Sequence, residues 1–193
     1  QYVSRTAKPY LPIKLERNVG MEKVALIETN SLDLPGIYVD VSPIRLYLDG
    51  EILAPIIGYT GEVSKEDLEK SNGRYAYGDV LGKHGVEKFF DSYIRGQKGA
   101  ELVEVNVYGK EIKNLGRIEP VSGYNIVLNI DADLQKATGD ALAGRAGAAV
   151  VLDVRDGSVL AMFSAPSFDP NLFNDGISYE QWEKLQNNPL CPL

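Results

Sequence analysis

One histidine, one cysteine and two close pairs of aspartates are the residues of this chain best suited to chemistry. A Ser-His-Asp or Cys-His nucleophile would have to recruit His84. That residue sits in Gly82-Lys83-His84-Gly85, a turn ahead of a helix, with no nucleophile motif beside it, and is read as a solvated loop histidine. Cys191 cannot form an internal disulfide and is read as a small, half-buried apolar residue. A lone His and a lone Cys far apart do not make a zinc site, so neither a metal nor a cofactor is expected. Asp131 and Asp133 fit the first turn of a helix, where carboxylates meet the positive dipole end. A carboxylate-based hydrolase would have to use that pair or Asp153/Asp156, and either pair would then need a cleft and perturbed pKa values. G-x-x-x-x-G-K-[ST], G-x-G-x-x-G and G-x-S-x-G are all absent. No catalytic, cofactor-binding or metal residue is assigned.

Composition limits what such a chain can do. It has 193 residues, 44% hydrophobic and 24% charged, which excludes wholesale disorder and fits one large domain or two small ones. A net charge of −7 argues against non-specific binding to nucleic acid or to an anionic membrane face. No apolar run approaches the roughly 20 residues that span a bilayer. The start, Gln1-Tyr2-Val3-Ser4, has neither an initiator Met nor a signal-peptide pattern, so the chain is expected to be a processed or excised piece.

The elements that would position any site follow from periodicity and turn chemistry. Residues 1–20 read as extended, with Pro9 and Pro12 opposing a helix. Met21 to Asn30 reads as a short helix capped by Asn18, with Met21, Val24, Ala25 and Leu26 inward. Ile37 to Val39 and Arg45 to Leu48 read as short strands, and Ala54 to Tyr59 as an apolar run. Ser64 caps a polar helix that Ser71-Asn72-Gly73 ends. Gly85 to Arg95 carries Val86, Phe89, Phe90, Tyr93 and Ile94 at helical spacing, a wide apolar face read first as core, with Gly96 as its left-handed cap. Glu101 to Val107 and Glu111 to Arg117 read as a hairpin turned at Tyr108-Gly109-Lys110. Pro120 to Gly123 marks the best boundary, and Asn125 to Asn129 alternates like a strand. Asp131 to Leu142 reads as a helix with Leu134, Ala137, Ala141 and Leu142 inward. Ser178 and Gln181 form a capping box, with Ile177 and Trp182 as its hydrophobic staple, and Pro189 stops that helix.

Between these last two helices lies a second hairpin, Ala149–Leu152 and Ser158–Phe163, turned at Asp156-Gly157. It runs into Ser164-Ala165-Pro166-Ser167-Phe168-Asp169-Pro170-Asn171. The hairpin, this tail and the capped helix together resemble the entry to the transpeptidase domain of the class B penicillin-binding proteins. Asn171-Leu172-Phe173 and Gly176-Ile177-Ser178 around Asp175 narrow the likeness to the family's cell-elongation branch, the penicillin-binding protein 2 type. Leu11-Pro12-Ile13-Lys14, Pro35-Gly36-Ile37, Arg45, Tyr47, Gly58-Tyr59, Gly85-Val86-Glu87-Lys88, Arg95-Gly96, Glu104-Val105 and Leu134-Gln135 fall in the family's order. Leu48 departs from it, standing where the family usually has Pro, which makes that turn less rigid.

The resemblance implies an α+β fold. Residues 1–120 would be a mixed pedestal/head domain of short strands and helices, membrane-proximal and non-catalytic, and 121–193 the first strands of a transpeptidase domain. The whole enzyme would be a serine-type peptidoglycan D,D-transpeptidase outside the bacterial cytoplasmic membrane, held by a transmembrane helix upstream of Gln1. Its partners would be a SEDS-type glycan polymerase, a rod-shape scaffold protein and peptidoglycan peptides. The family's S-x-x-K, S-x-N and K-[ST]-G do not occur in this chain, so it is expected to be inactive by itself, with the nucleophile a short way beyond Leu193. Two rivals stay open: an unrelated hydrolase using a carboxylate pair, and a stand-alone pedestal-type interaction protein.

Overall fold

The computed structural model describes residues 15–71, 73–106, 111–174, 176–190 and 192. Its elements run α1 Met21–Thr29, α2 Gly50–Ile57, β1 Thr60–Glu62, α3 Lys65–Lys70, β2 Val80–Gly82, α4 Gly85–Phe89 and α5 Asp91–Ile94. They continue with β3 Ala100–Val105, β4 Glu111–Ile118, α6 Ala132–Ala141, β5 Gly147–Leu152, β6 Val159–Ala165, a 3-10 turn Pro170–Phe173 and α7 Tyr179–Gln186. Mixed helices with short antiparallel strand pairs make this an α+β fold. The expectations for Leu11-Pro12-Ile13-Lys14, for the turn Tyr108-Gly109-Lys110 and for Cys191 lie outside the described residues.

Contacts divide the chain into two units that alternate along it. One falls within Gln1–Pro43 and Ala100–Ile118, the other within Ile44–Gly99 and Glu119–Leu193. In the first, β3 and β4 pair antiparallel from Ala100↔Ile118 to Val105↔Glu111, with two register shifts that twist the ribbon. Helix α1 forms where periodicity places it, but its face differs. Met21 is 81% exposed and Leu26 is exposed too, while Val24 and Ile27 are half-buried, so the inward stripe is an i, i+3 pair. Gly20, not Asn18, occupies the cap position. Ile37 to Val39 is irregular and not a strand.

In the second unit the core gathers around Ala54 of α2, Phe168 and Phe173, with Tyr59, Leu172, Ile177, Trp182 and Leu185 packed on it. Tyr59 stacks on Phe173 at 3.9 Å between ring centroids, and Phe168 meets Phe173 edge-on at 5.9 Å. Ile177 and Trp182, the expected staple, both join this cluster, and Ser178 and Gln181 form the expected capping box. Ser64 makes a second capping box with Asp67 at the start of α3. Helix α2 ends at Gly58, whose φ of +76° suits a glycine and where a Cβ would lie 2.1 Å from the His84 carbonyl oxygen. Backbone-to-backbone contact thus brings α2 against the start of α4.

Several elements of this unit differ from expectation. Gly85 to Arg95 is not one helix: it breaks at Phe90, whose φ of −103° and ψ of 14° end α4 and begin α5. The break is fixed by Asp91, whose carboxylate accepts hydrogen bonds from Gly82 N at 3.1 Å and from the Tyr75 hydroxyl at 2.7 Å. Its aromatic face is not core either, since Phe89 is 79% and Tyr93 56% exposed, while Glu87 is the buried side chain of α4. Arg45 to Leu48 is not a strand, because side-chain amides of the tail, not a neighbouring strand, take up its backbone groups. Asn125 to Asn129 likewise forms no ladder among the described residues. On α6, Ala137 and Ala141 face solvent while Gln135 and Thr138 are buried, since the helix turns its polar side to α2 and β6.

The second hairpin forms as expected. β5 and β6 pair antiparallel from Gly147↔Ala165 to Leu152↔Val159, with Gly157 at φ +76° in the turn. Ala161 and Phe163 of β6 point into the core, while Val150, Leu152 and Met162 are exposed.

Candidate functional site

Each residue with catalytic potential either has a structural task or stands in solvent. His84 occupies the position before α4, exposed and making no side-chain cap. Asp131 caps α6, its carboxylate accepting from Leu134 N at 2.9 Å, and Asp133 is exposed in the first turn. Asp153 is gripped by Arg155 through contacts of 2.6 to 3.1 Å, which hold its carboxyl below the usual range. Asp156 accepts from Ser158 N at 2.9 Å, and that bond lowers its pKa in the same sense. A carboxylic acid that must donate a proton needs the opposite shift. Asp131, Asp133 and Asp156 are exposed and Asp153 is taken up by Arg155, and no group of three or more His, Cys, Asp or Glu among the described residues could hold a metal.

The organised polar chemistry lies instead where the tail after β6 meets the segment Ile44–Leu53. Phe168 and Phe173 anchor the tail in the core, and Asp169 caps the 3-10 turn by accepting from Asn171 N at 2.9 Å. That turn aims the Asn171 side chain at Tyr47. Its oxygen accepts from Tyr47 N and its amide donates to the Tyr47 carbonyl, both at 3.0 Å. The amide of Asn174 donates to the Arg45 carbonyl at 2.6 Å, and the Ser167 hydroxyl donates to the Glu51 carbonyl at 2.6 Å. Close approach is possible because residue 50 is glycine: a Cβ there would stand 3.0 Å from both the Asp169 carboxylate and the Pro170 ring.

Two further contacts extend this clasp. The Arg45 guanidinium grips Glu87 of α4 with two bonds of 2.8 and 3.0 Å, and Glu87 is only 5% exposed. The Tyr47 hydroxyl bonds Thr60 at 3.2 Å in the interior, where burial pushes its pKa up. Behind the clasp Gln135, fully buried, donates to the carbonyls of Ile52 at 2.8 Å and Met162 at 2.9 Å and accepts from Met162 N at 2.8 Å. Helix α6, strand β6 and helix α2 are thereby joined through one side chain.

A third feature is apolar. Beyond Glu87, Phe89 and Tyr93 stand in solvent beside Phe90, with ring centroids 4.9 and 6.2 Å from it. Tyr124, also exposed, is tied to this face by its N–H donating to the Tyr93 carbonyl at 2.9 Å. Exposed aromatic clusters on a soluble domain commonly mark interaction surfaces. By contrast the apolar run Ala54 to Tyr59 is buried or half-buried throughout.

In the sequence, Arg45, Tyr47, Glu87, Gln135 and Asn171 stand out only as members of separate motifs. The structure joins these motifs through the clasp, α4 and α6. Ser167 shares the tail motif with Asn171, while Asn174 carries no such signal, because its role is to bind a main-chain group more than a hundred residues away. No local pattern reports such a partner.

Comparison with known proteins places the chain in a family. Residues 1–128 match the model of a family described as the penicillin-binding protein dimerisation domain. The chain is 39% identical to the peptidoglycan D,D-transpeptidase MrdA of Haemophilus influenzae, over 98% of this chain and 30% of that protein. It is similar to a crystal structure of Pseudomonas aeruginosa PBP2 in complex with WCK 5153, with 34% identity and a TM-score of 0.60 over 77% of this chain and 30% of that one. It is also similar to PBP2 from Helicobacter pylori, solved as a complex with MreC, at 28% identity and a TM-score of 0.69 over 87% of this chain and 32% of that one. The chain therefore spans about 30% of the length of the curated relatives it matches.

Proposed function

Because this chain belongs to the penicillin-binding protein family, we propose that it is the non-catalytic positioning and partner-docking part of a peptidoglycan D,D-transpeptidase of bacterial elongation. The observation that carries this reading is the clasp. The tail that resembles the approach to the family's reaction centre is bound through Ser167, Asn171 and Asn174 to main-chain groups of Arg45, Tyr47 and Glu51. A segment that leads to a nucleophile has to be held in place, and here the non-catalytic region holds it.

In this reading 1–120 is the pedestal and head by lineage, and 121–193 opens the transpeptidase domain. Contact grouping cuts across that division by uniting 44–99 with 119–193, which suits a pedestal that carries its catalytic domain. The protein works on the outer face of the cytoplasmic membrane. No helix among the described residues is long and apolar enough to cross a membrane, and the proposed anchor is a separate helix of the whole protein. Docking of a rod-shape scaffold protein is supported by the Helicobacter pylori relative, solved with MreC. A SEDS-type glycan polymerase is the second partner, and peptidoglycan peptides reach the catalytic region.

Labelling with a fluorescent β-lactam tests the assignment. Residues 1–193 contain no S-x-x-K and should take no covalent label, whereas the native protein from which they come should take one equivalent. A denaturation-resistant adduct on 1–193, or none on the native protein, would overturn the proposal.

A further inference from the structure

A cavity of about 300 Å³ opens beside the C-terminal end of α3, lined by Asp67, Lys70, Ser71, Arg74, Tyr75 and Leu81. It takes no part in the clasp, and its wall carries both signs of charge. Lys70 and Arg74 are exposed, and neither side chain has an acidic partner among the described residues. Asp67 is engaged through one oxygen only. Its Oδ2 accepts from Lys83 Nζ at 2.5 Å, from the Ser64 hydroxyl at 2.7 Å and from Ser64 N at 2.9 Å. Its Oδ1 accepts no hydrogen bond among the described residues. Ser71 is buried, and its hydroxyl donates to the Leu68 carbonyl at 2.8 Å, which leaves that oxygen free to accept. Tyr75 and Leu81, both half-buried, form the apolar part of the wall. Tyr75 is held still, since its hydroxyl donates to Asp91 at 2.7 Å and the Arg95 guanidinium lies 4.3 Å from its ring centroid.

Helix chemistry accounts for part of this wall. Lys70 stands in the last turn of α3, where a cation meets the negative end of the peptide dipoles. That does not explain a second unpaired cation, Arg74, beside it, nor the unused oxygen of Asp67. Two cations alone would suit any anion. The Asp67 carboxylate in the same wall opposes a bare dianion such as phosphate and favours a ligand that brings its own cation. The volume and the apolar floor suit a small organic molecule better than an ion. We propose that this cavity binds a short peptide group carrying a free carboxylate and a free amine, the carboxylate met by Lys70 and Arg74, the amine by Asp67 Oδ1 and the Ser71 oxygen. Binding is a property of this chain. That the ligand is a peptide of peptidoglycan, which carries both groups, rests on the function proposed above. The cavity would then hold such a peptide at a place separate from the reaction centre.

Titration of the full isotope-labelled chain with the dipeptide D-alanyl-D-alanine, read by amide chemical shifts, tests the site. The shifts should saturate in the millimolar range, as expected for charges open to water, and should fall on 67–75 and 81–83. The hairpin turn 153–158 should not move. N-acetyl-D-alanyl-D-alanine, which lacks the amine, should bind about five- to tenfold more weakly, the loss of one charge-assisted bond. Arg74→Gln should weaken the dipeptide by about the same factor, and Arg74→Lys should restore most of it. Both changes are at an exposed position and should leave the fold intact. No saturable shift at tens of millimolar, equal binding of the acetylated dipeptide, or an Arg74→Gln chain that binds as wild type overturns the proposal. Glycerophosphoethanolamine presents the same pair of charges as a lipid headgroup. Tighter binding of it than of the dipeptide overturns the choice of a peptide.

A second arm uses the native protein after its reaction centre has been blocked by a β-lactam, with binding of the same dipeptide read by calorimetry in wild type and Arg74→Gln. The wild type should still bind and the variant should bind about five- to tenfold more weakly. Should residues 1–193 not fold alone, this arm decides, and no heat of binding overturns the site. If the native protein takes no β-lactam label at all, the proposed function fails, and the titration of 1–193 still decides the cavity.

Discussion

Asn171 holds the peptide groups of Tyr47 as a neighbouring strand would, accepting from its N–H and donating to its carbonyl, each at 3.0 Å. A carboxylate of the same shape can do only the first of these. Asn171→Asp removes the donor to Tyr47 and sets a second negative oxygen where the amide nitrogen now lies 2.9 Å from Asp169. The expected cost is about 2–3 kcal/mol at neutral pH, from one unmet carbonyl and one like-charge contact. Urea unfolding of wild type and variant checks it, and the deficit should shrink in acid as the new carboxyl is protonated. An unchanged midpoint would show that the clasp does not hold the tail.

Gln135 offers a harder substitution. Its three hydrogen bonds serve the main chain of α2 and β6 in a fully buried site. Gln135→Leu keeps approximate volume and strands the Ile52 carbonyl and the Met162 N–H and C=O. Each orphaned buried group costs about 1–3 kcal/mol before relaxation, so a loss of roughly 3 kcal/mol or more is expected. Thermal unfolding should show a drop of about 6–12 °C, given the roughly 2–4 °C per kcal/mol typical at this size. Gln135→Glu retains the acceptor for Met162 N but sets a buried, unpaired carboxylate oxygen against the Ile52 and Met162 carbonyls, so at neutral pH it should cost at least as much as Gln135→Leu.

What can be read from the sequence follows the range of the forces involved. Ser64, and Ser178 with Gln181, act within one helical turn, and both caps are legible; Asp131 reads only as a first-turn carboxylate, and the structure makes it the cap of α6. The β5–β6 hairpin is legible because its alternation and its Asp156-Gly157 turn are local. Helix faces are not. Periodicity marks which residues share a side but not which side meets a partner, so it turns α6 toward its alanines although Gln135 faces the core. The aromatic stripe of Gly85 to Arg95 reads as one buried face, yet Asp91 breaks the helix by bonding Gly82 and Tyr75, and Glu87 takes the interior for Arg45. Arg45 to Leu48 reads as a strand from its residue types; the groups that satisfy its backbone lie on side chains 124 and 129 residues away.

Asp67 gives a pH dependence whose sign can be worked out. Lys83 at 2.5 Å, then the Ser64 hydroxyl and N–H at 2.7 and 2.9 Å, hold its carboxyl well below the ordinary range. A carboxyl depressed in the folded state stabilises fully above its unfolded pKa of about 3.9, and that stabilisation is lost as pH falls through and below it. The side chain is 31% exposed, so screening reduces the contribution to about 1 kcal/mol. Asp67→Asn should therefore be less stable than wild type by about that amount near pH 6. The gap should begin to narrow as pH falls below about 3.9 and close only well below it, where the folded-state carboxyl is also protonated, and a gap constant from about pH 6 into strong acid would refute the assignment to ionisation.

The aromatic face of α4–α5 is the element to test for docking. Phe89 and Tyr93 are exposed, so changing them should leave the fold intact, whereas Ala54 to Tyr59 is part of the core and would not separate binding from stability. Apolar association is weakly screened, because a Debye length governs charges and not buried area. Binding of the native protein to the elongation scaffold should thus change by only about twofold between low and high salt. Phe89→Asp or Tyr93→Asp should weaken it by about 30-fold, the loss of one interface anchor worth roughly 2 kcal/mol, with unfolding midpoints unchanged. Binding that collapses with salt and ignores both substitutions would place the docking surface elsewhere and leave the exposed Phe89 without a partner.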